Sequence, residues 1–170
     1  NSLSKNKLLP NSTLKLKIYQ FLDYTMYRLS YYDRSLDIVR NINIPLAQYL
    51  NQKNKELQFT QLQGVYLYSI GKIKEAEQIY TEILQEIDEN DFNISRSSLY
   101  NNIALAYHKL GKYNNYLDFQ FKALSIANDK ENYDHQLNIL RNLFVYYRES
   151  NNPEEAINYL KKAERLAIKQ

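Results

Sequence analysis

The stretch "LAYHKLGKYNNYLDFQFKAL", Leu105–Leu124, has an earlier counterpart, "VYLYSIGKIKEAEQIYTEIL", Val65–Leu84. Gly71 aligns with Gly111, Lys72 with Lys112 and Leu84 with Leu124. Extended by a few residues, the same register yields three segments. They are "QLQGVYLYSIGKIKEAEQIYTEIL" (61–84), "NNIALAYHKLGKYNNYLDFQFKAL" (101–124) and "RNLFVYYRESNNPEEAINYLKKAE" (141–164). Their starts, at 61, 101 and 141, are evenly spaced, and no gaps are needed. A fixed period of this length marks a repeat architecture, in which each unit buries its apolar face against its neighbours.

Each unit reads as two helices around a turn. In the second, Leu99, Tyr100, Ile103, Ala104 and Tyr107 recur at three- and four-residue spacings, one face of a helix. Gly111 stops that helix, because glycine takes the left-handed C-cap conformation without strain. The next helix starts near Tyr113, with Leu117, Phe121 and Leu124 as its expected buried stripe. In the third unit Asn151 stands where the glycine was, and asparagine is the next best residue there. Pro153 follows at a helix start, where its missing N–H costs nothing. Glu154 and Glu155 suit the positive end of that helix.

A shift of one further period towards the N-terminus lays "FLDYTMYRLSYYDRSLDIV" (21–39) on the same template. Tyr24 and Tyr27 are then core positions, and Leu36 takes the slot of Ala76. "SYYDR" is a turn without glycine, and Pro45 kinks or ends the following helix near Ile44. Ser12 or Thr13 is the expected N-cap. Turns are also expected near Glu89–Asn93 and within 125–134. The expected partition is a tail, 1–12, a degenerate first repeat, 13–56, and three further units, 57–96, 97–136 and 137–170, in one domain. The fold class is all-α, a right-handed α-α superhelix of about four helix–turn–helix units.

Composition agrees. Glycine and proline number three each, too few for the tight turns of sandwiches, barrels or doubly wound sheets. The formal net charge is +3 and both signs are interspersed, which describes a solvated helical surface and argues against a nucleic-acid partner. The absence of cysteine excludes disulfides and thiolate metal sites. No apolar run approaches the roughly 20 residues of a membrane span, and no signal peptide is visible. The chain begins at Asn1 without Met and reads as an excised piece. Its localisation is therefore open, cytoplasmic or periplasmic.

Catalytic and metal constellations are missing. His108 and His135 lie in different units, with no paired-ligand spacing. His108 is expected to face a groove or water, and His135 to face water in a connector. Gly64, Gly71 and Gly111 form no phosphate loop, and the acidic run "EIDEND" (86–91) lacks the glycine and alternation of a calcium loop. The tyrosines at helical spacing read as core. No cofactor, metal or enzymatic activity is expected.

These residues resemble the tetratricopeptide repeat superfamily. Tyr100, Ala104, Tyr107, Gly111, Tyr113 and Ala123 match its pattern, as do Gly64, Gly71, Ala76 and Tyr80 one unit earlier. Leu143, Tyr147, Ala156 and Ala163 match it one unit later. The resemblance implies a solenoid whose first helices line a concave, peptide-binding side. The long unit is similar to those of bacterial peptide-sensing regulators and of sensor-kinase or transcription-regulator input domains. It therefore implies a non-catalytic sensing or interaction role in signal transduction. Two slots depart from the pattern: Phe144 replaces a small residue, and Tyr116 replaces the alanine at Ala76. Tyr116 is expected either to splay its helix pair or to lean towards the next unit.

Off the core stripe, equivalent first-helix positions give Gln61, Asn101 and Arg141, then Tyr68, His108 and Arg148. The first repeat adds Thr25 and Arg28, and Asn102 and Asn142 flank the row. Amides pair with an extended peptide backbone, and Arg28, Arg141 and Arg148 are candidates for gripping a carboxylate. A second reading is structural. Leu160, Ala163, Leu166 and Ala167 on the last helix form an apolar side that calls for cover, which a homodimer could supply.

Overall fold

A computed structural model describes residues 11–89 and 95–168. Most of the tail 1–12 and the turn expected near Glu89–Asn93 lie outside the described residues, as does the end of the acidic run at 86–91. The chain is all-α, a solenoid-type series of antiparallel helical hairpins, and its internal contacts divide it into two compact units, residues 1–94 and 95–170. The first contains α1 (Ser12–Arg28), α2 (Tyr32–Ile38), a π-helical segment (Val39–Asn43), α3 (Ile44–Tyr49), α4 (Lys53–Ser69) and α5 (Ile73–Glu89). The second contains α6 (Arg96–Lys109), α7 (Tyr113–Asp129), α8 (Tyr133–Glu149) and α9 (Pro153–Ile168).

One device closes the turns. Ser30, Asn51, Gly71, Gly111, Glu131 and Asn151 all have φ between 50° and 84°, the left-handed region. After each, the next N–H reaches back to a carbonyl five residues earlier, as Lys72 does to Leu67 (2.8 Å) and Lys112 to Tyr107 (2.9 Å). This is the Schellman closure, which satisfies carbonyls the helix end leaves open. The closures at Gly111, Glu131 and Asn151 are evenly spaced, so each repeat is made of two equal helix-and-turn steps. The following helices are capped by side chains where the sequence allows. Ser95 Oγ accepts from the Ser98 N–H (3.3 Å), and Asn132 Oδ1 accepts from the His135 N–H (3.2 Å). At α1 the expected cap by Ser12 or Thr13 is not formed. Both are already helical, and Asn11 precedes the helix with no side-chain cap bond.

In the first unit the core face of α1 carries Ser12, Leu16 and Asp23. Tyr24 and Tyr27, expected in the core, are exposed instead, at 57% and 38%. The buried stripe is rotated by one residue, and Tyr27 covers its edge by packing on Tyr32 and Tyr66. Leu36 is buried as expected. Pro45 does not end the helical stretch, which carries on from Ile44 as α3. A proline ring collides with the carbonyl four residues back, here Asn41, and the chain widens into a π turn over Val39–Asn43 at that place. Gly64 of α4 packs directly against a side chain of α5. A Cβ on Gly64 would lie 2.8 Å from Cζ of Tyr80, which is 1% exposed.

In the second unit, Ala123 and Ala127 of α7, Ile139 and Leu143 of α8 and Tyr159 of α9 form one buried cluster. The stripe of α7 is again one residue away from the expected one. Tyr116, Gln120, Ala123 and Ala127 are buried, whereas Phe121 is 43% exposed. Tyr116 leans towards the next repeat, and its hydroxyl donates to the main-chain oxygen of Asn142 on α8 (2.8 Å).

Candidate functional site

Helices α6 and α8 present parallel polar faces within the second unit, and a cavity of about 270 Å³ lies between them. From α6 come Ser97, Ser98, Asn101 and Leu105, on one face of the helix. From α8 come His135, Asn138, Ile139, Arg141 and Asn142, again at helical spacing. Leu105 and Ile139 supply the apolar part of the wall; the rest is polar. Among the described residues no Asp or Glu lines the cavity, and its ionisable side chains there are Arg141 and His135.

Three amides set the chemistry of the cavity. Asn101 Oδ1 accepts two hydrogen bonds, from Gln120 Nε2 (3.2 Å) and from Asn142 Nδ2 (3.0 Å). Its acceptor is thereby saturated, and its Nδ2 group, a double donor, is left for a ligand. Asn142 conversely has committed its Nδ2 to Asn101 and keeps Oδ1 as an acceptor. Gln120 is the anchor: it is fully buried on α7, so it has little freedom to let Asn101 turn over. The main-chain oxygen of Asn142 takes the Tyr116 hydroxyl, and burial pushes the Tyr116 hydroxyl pKa well above the usual phenol range. The residue that breaks the repeat pattern thus ties α7 to the segment of α8 that lines the cavity. Ser97 makes a similar tie, its buried hydroxyl donating to Ala123 O (2.9 Å).

Of the residues singled out from the sequence, Asn101, Arg141 and the flanking Asn142 meet at this cavity. Arg148 does not. It lies two turns further along α8, stacked over Phe144 at 5.5 Å and 3.9 Å from Glu149. His108 is half-buried and is absent from the lining of this cavity. Its ring packs edge-on against Tyr113, Tyr116 and Tyr146, at 5.5, 5.0 and 6.1 Å. Arg28, Gln61 and Tyr68 belong to the first unit. Arg28 is exposed in the last turn of α1, while Gln61 and Tyr68 are half-buried on α4. Burial raises the Tyr68 hydroxyl pKa. Thr25 donates to Phe21 O, within its own helix (2.8 Å).

Ser97, Ser98, Asn138 and His135 escaped the sequence reading. His135 was expected in a connector, yet it sits in the first turn of α8. The signal was Asn132 three residues before it, a helix N-cap in the sequence. Among the described residues no group of three His, Asp or Glu side chains could hold a metal ion. No helix there is long and apolar enough to cross a membrane.

Comparison with known proteins places the repeat. Residues 95–169 match the family model described as the tetratricopeptide repeat. No curated protein matches the chain. Among solved structures, the chain is similar to BtubC (BKLC) from P. vanneervenii, with a TM-score of 0.74 and 16% identity over 96% of this chain and 67% of that one. It is also similar to the TPR domain of Arabidopsis FLU, with a TM-score of 0.63 and 20% identity over 69% of this chain and 98% of that one. A third is the putative kinesin light chain of Podosopora anserina, with nearly identical TPR-like repeats. There the TM-score is 0.72 at 12% identity, over 95% of this chain and 79% of that one. Identities this low speak for the fold alone, and that fold is the tetratricopeptide-like solenoid.

Proposed function

We propose that this tetratricopeptide-repeat chain is a non-catalytic module that holds a peptide or protein segment, and that it serves as the sensing or interaction part of a bacterial signalling protein, a sensor kinase or transcription regulator. Solenoids of this kind are protein-interaction scaffolds, with partners bound along the first helices of their units. The partition into a tail (1–12) and units 13–56, 57–96, 97–136 and 137–170 is part of the same reading. The observation that carries it is the α6–α8 cavity, where Asn101 offers two donors and Asn142 an acceptor. That pairing complements the C=O and N–H of an extended peptide backbone, which carries its own donors and acceptors along its length. Within the site row, Asn101 and Arg141 are the central residues. Arg28, Gln61, Tyr68, His108 and Arg148 are secondary positions along the chain.

The test is selection of binders from a displayed random-peptide library on the whole chain, followed by titration against Asn101→Ala. Selected peptides should lose at least tenfold in affinity with Asn101→Ala while the helical circular dichroism stays unchanged. Peptides that bind equally well to this variant would refute the assignment of the site.

A second reading, self-association through the C-terminal helix, is favoured by a separate observation. Ile157 and Leu160 on α9 are each 50% exposed and Ile168 is 78% exposed. Leu160 occupies the slot of Gln120, which is fully buried one repeat earlier. Light scattering over a wide concentration range tests it: a strict monomer throughout removes the homodimer.

A further inference from the structure

Helix α1 is apolar on two opposite sides. At about 100° per residue, Leu16 and Asp23 share the side that faces the core, and both are buried. Leu14, Ile18 and Phe21 fall in a narrow sector on the other side, where a surface helix ordinarily carries polar residues. They are 53%, 54% and 72% exposed. Phe21 takes the slot that Gln61, Asn101 and Arg141 hold in the later units, so a polar row gives way here to an apolar one. Lys15 lies to one side of the stripe and Lys17 to the other, and neither makes an ion pair among the described residues. Tyr24, exposed, adjoins Lys17 around the helix. The one carboxylate of α1, Asp23, is spent on the core side. The next acids along the chain, Asp33 and Asp37, belong to α2. The charge asymmetry extends beyond the helix. Residues 1–28 hold Lys5, Lys7, Lys15, Lys17 and Arg28 against Asp23 alone, whereas the whole chain is only +3. The excess positive charge of the protein therefore resides in this segment.

We infer that the outer side of α1 docks on an anionic lipid surface, with the helix lying along the bilayer and not crossing it. An apolar stripe between basic side chains is what a helix at that interface presents. Leu14, Ile18 and Phe21 enter the boundary between headgroups and acyl chains. Lys15 and Lys17 lay their aliphatic stems along it and carry their ammonium groups out to the lipid phosphates. Tyr24 adds a ring with a polar tip, suited to the same depth. Two observations favour a bilayer over a protein partner. The outer side of a helix is a convex ridge, which a bilayer takes up without a matching groove. The stripe also lacks a group that would fix a partner's register: Thr25, in line with it, spends its hydroxyl on Phe21 O (2.8 Å). Charge argues against a second copy of the same face, because pairing α1 with α1 sets basic side chains against one another with no exposed acid of α1 between them. The surface lies in the first unit, and its assignment is independent of the peptide-binding reading.

The experiment titrates the whole chain with vesicles of phosphatidylcholine alone and of phosphatidylcholine mixed with phosphatidylglycerol, and measures binding by flotation. The anionic vesicles should bind about tenfold more tightly than the neutral ones, and the difference should shrink as salt is added. The chain contains no tryptophan, so Phe21→Trp places a single fluorescent reporter in the stripe. Emission of that variant should move to shorter wavelength with anionic vesicles. Ile18→Ser combined with Phe21→Ser, both at exposed positions, should weaken binding about tenfold with unchanged helical circular dichroism. Lys15→Gln combined with Lys17→Gln should remove most of the preference for anionic lipid. Absence of binding to anionic vesicles overturns the assignment. So does binding that the two serine substitutions leave untouched, which is adsorption by charge alone. A soluble, acidic, amphipathic helical peptide is titrated in parallel. If it binds through Ile18 and Phe21 while vesicles do not bind, the face belongs to a protein partner and the lipid assignment falls.

Discussion

Replacing Gly64 by alanine sets two opposing effects against each other at one atom. Gly64 is inside α4, where alanine is favoured over glycine by about 1 kcal/mol. On propensity alone the substitution stabilises. The added Cβ, however, would sit 2.8 Å from Cζ and 3.0 Å from Cδ1 of the Tyr80 ring. Carbon atoms rest at roughly 3.5–4.0 Å, so ring and methyl must part by most of an ångström. Tyr80 is 1% exposed and has no open side into which to move, so α4 and α5 must separate or the ring must leave its rotamer. Overpacking of that kind costs about 1–3 kcal/mol. Because several ring atoms are struck, the upper part of that range applies, and the net loss should be about 1–2 kcal/mol. Urea unfolding followed by helical circular dichroism measures it. The decisive control is the same substitution with the ring removed. In a Tyr80→Leu background, Gly64→Ala should become neutral or stabilising. If Gly64→Ala raises the unfolding midpoint with Tyr80 intact, the α4–α5 contact is not what requires glycine.

Other outcomes follow from the turns, the amides and a buried acid. Gly111 has φ +72° with nothing within 4 Å of an added Cβ, so Gly111→Ala should cost only the left-handed strain, about 1–2 kcal/mol. Glu131→Gly, at φ 50°, should gain up to about 1 kcal/mol; both are read from unfolding midpoints. Gln120→Leu removes the donor that holds Asn101 and should weaken selected peptides severalfold in titration calorimetry, beyond any loss of thermal stability. Asp23 is 1% exposed, and desolvation raises its pKa to about 6 against hydrogen bonds from Tyr66 and Ser35 that pull it down. A folded value above the unfolded one means stability fully present below about pH 4 and lost as pH rises through 6. That contribution is on the order of 2–3 kcal/mol. Asp23→Asn should flatten this part of the pH–stability curve measured by urea unfolding.

The repeat, its period and its turn positions were legible in the sequence because they rest on local physics. Glycine or asparagine at a left-handed position, proline at a helix start and apolar residues at helical spacing act through the nearest few residues. That physics marked Gly71, Gly111, Asn151 and Pro153, and it made the fold class readable. Gly64 and Ala76 were legible only as matches to the tetratricopeptide pattern. The rotation of each helix was not legible. On α7 the apolar series Leu117, Phe121, Leu124 competes with Tyr116, Gln120, Ala123, Ala127, which lies only about 100° away around the helix. Only the two neighbouring helices select between them, α6 by giving the Gln120 amide a partner in Asn101 and α8 by giving the Tyr116 hydroxyl one in the main-chain oxygen of Asn142. Likewise Asn101 and Arg141 were both candidates from their matched positions. Arg148 finds its partners, Phe144 and Glu149, on its own helix, whereas tertiary packing decided that Arg141 stands beside a cavity with no ion pair among the described residues. Sequence alone thus determined the repeated hairpin and where it turns. The assembled helices decided which polar side chains are spent on each other and which remain for a ligand.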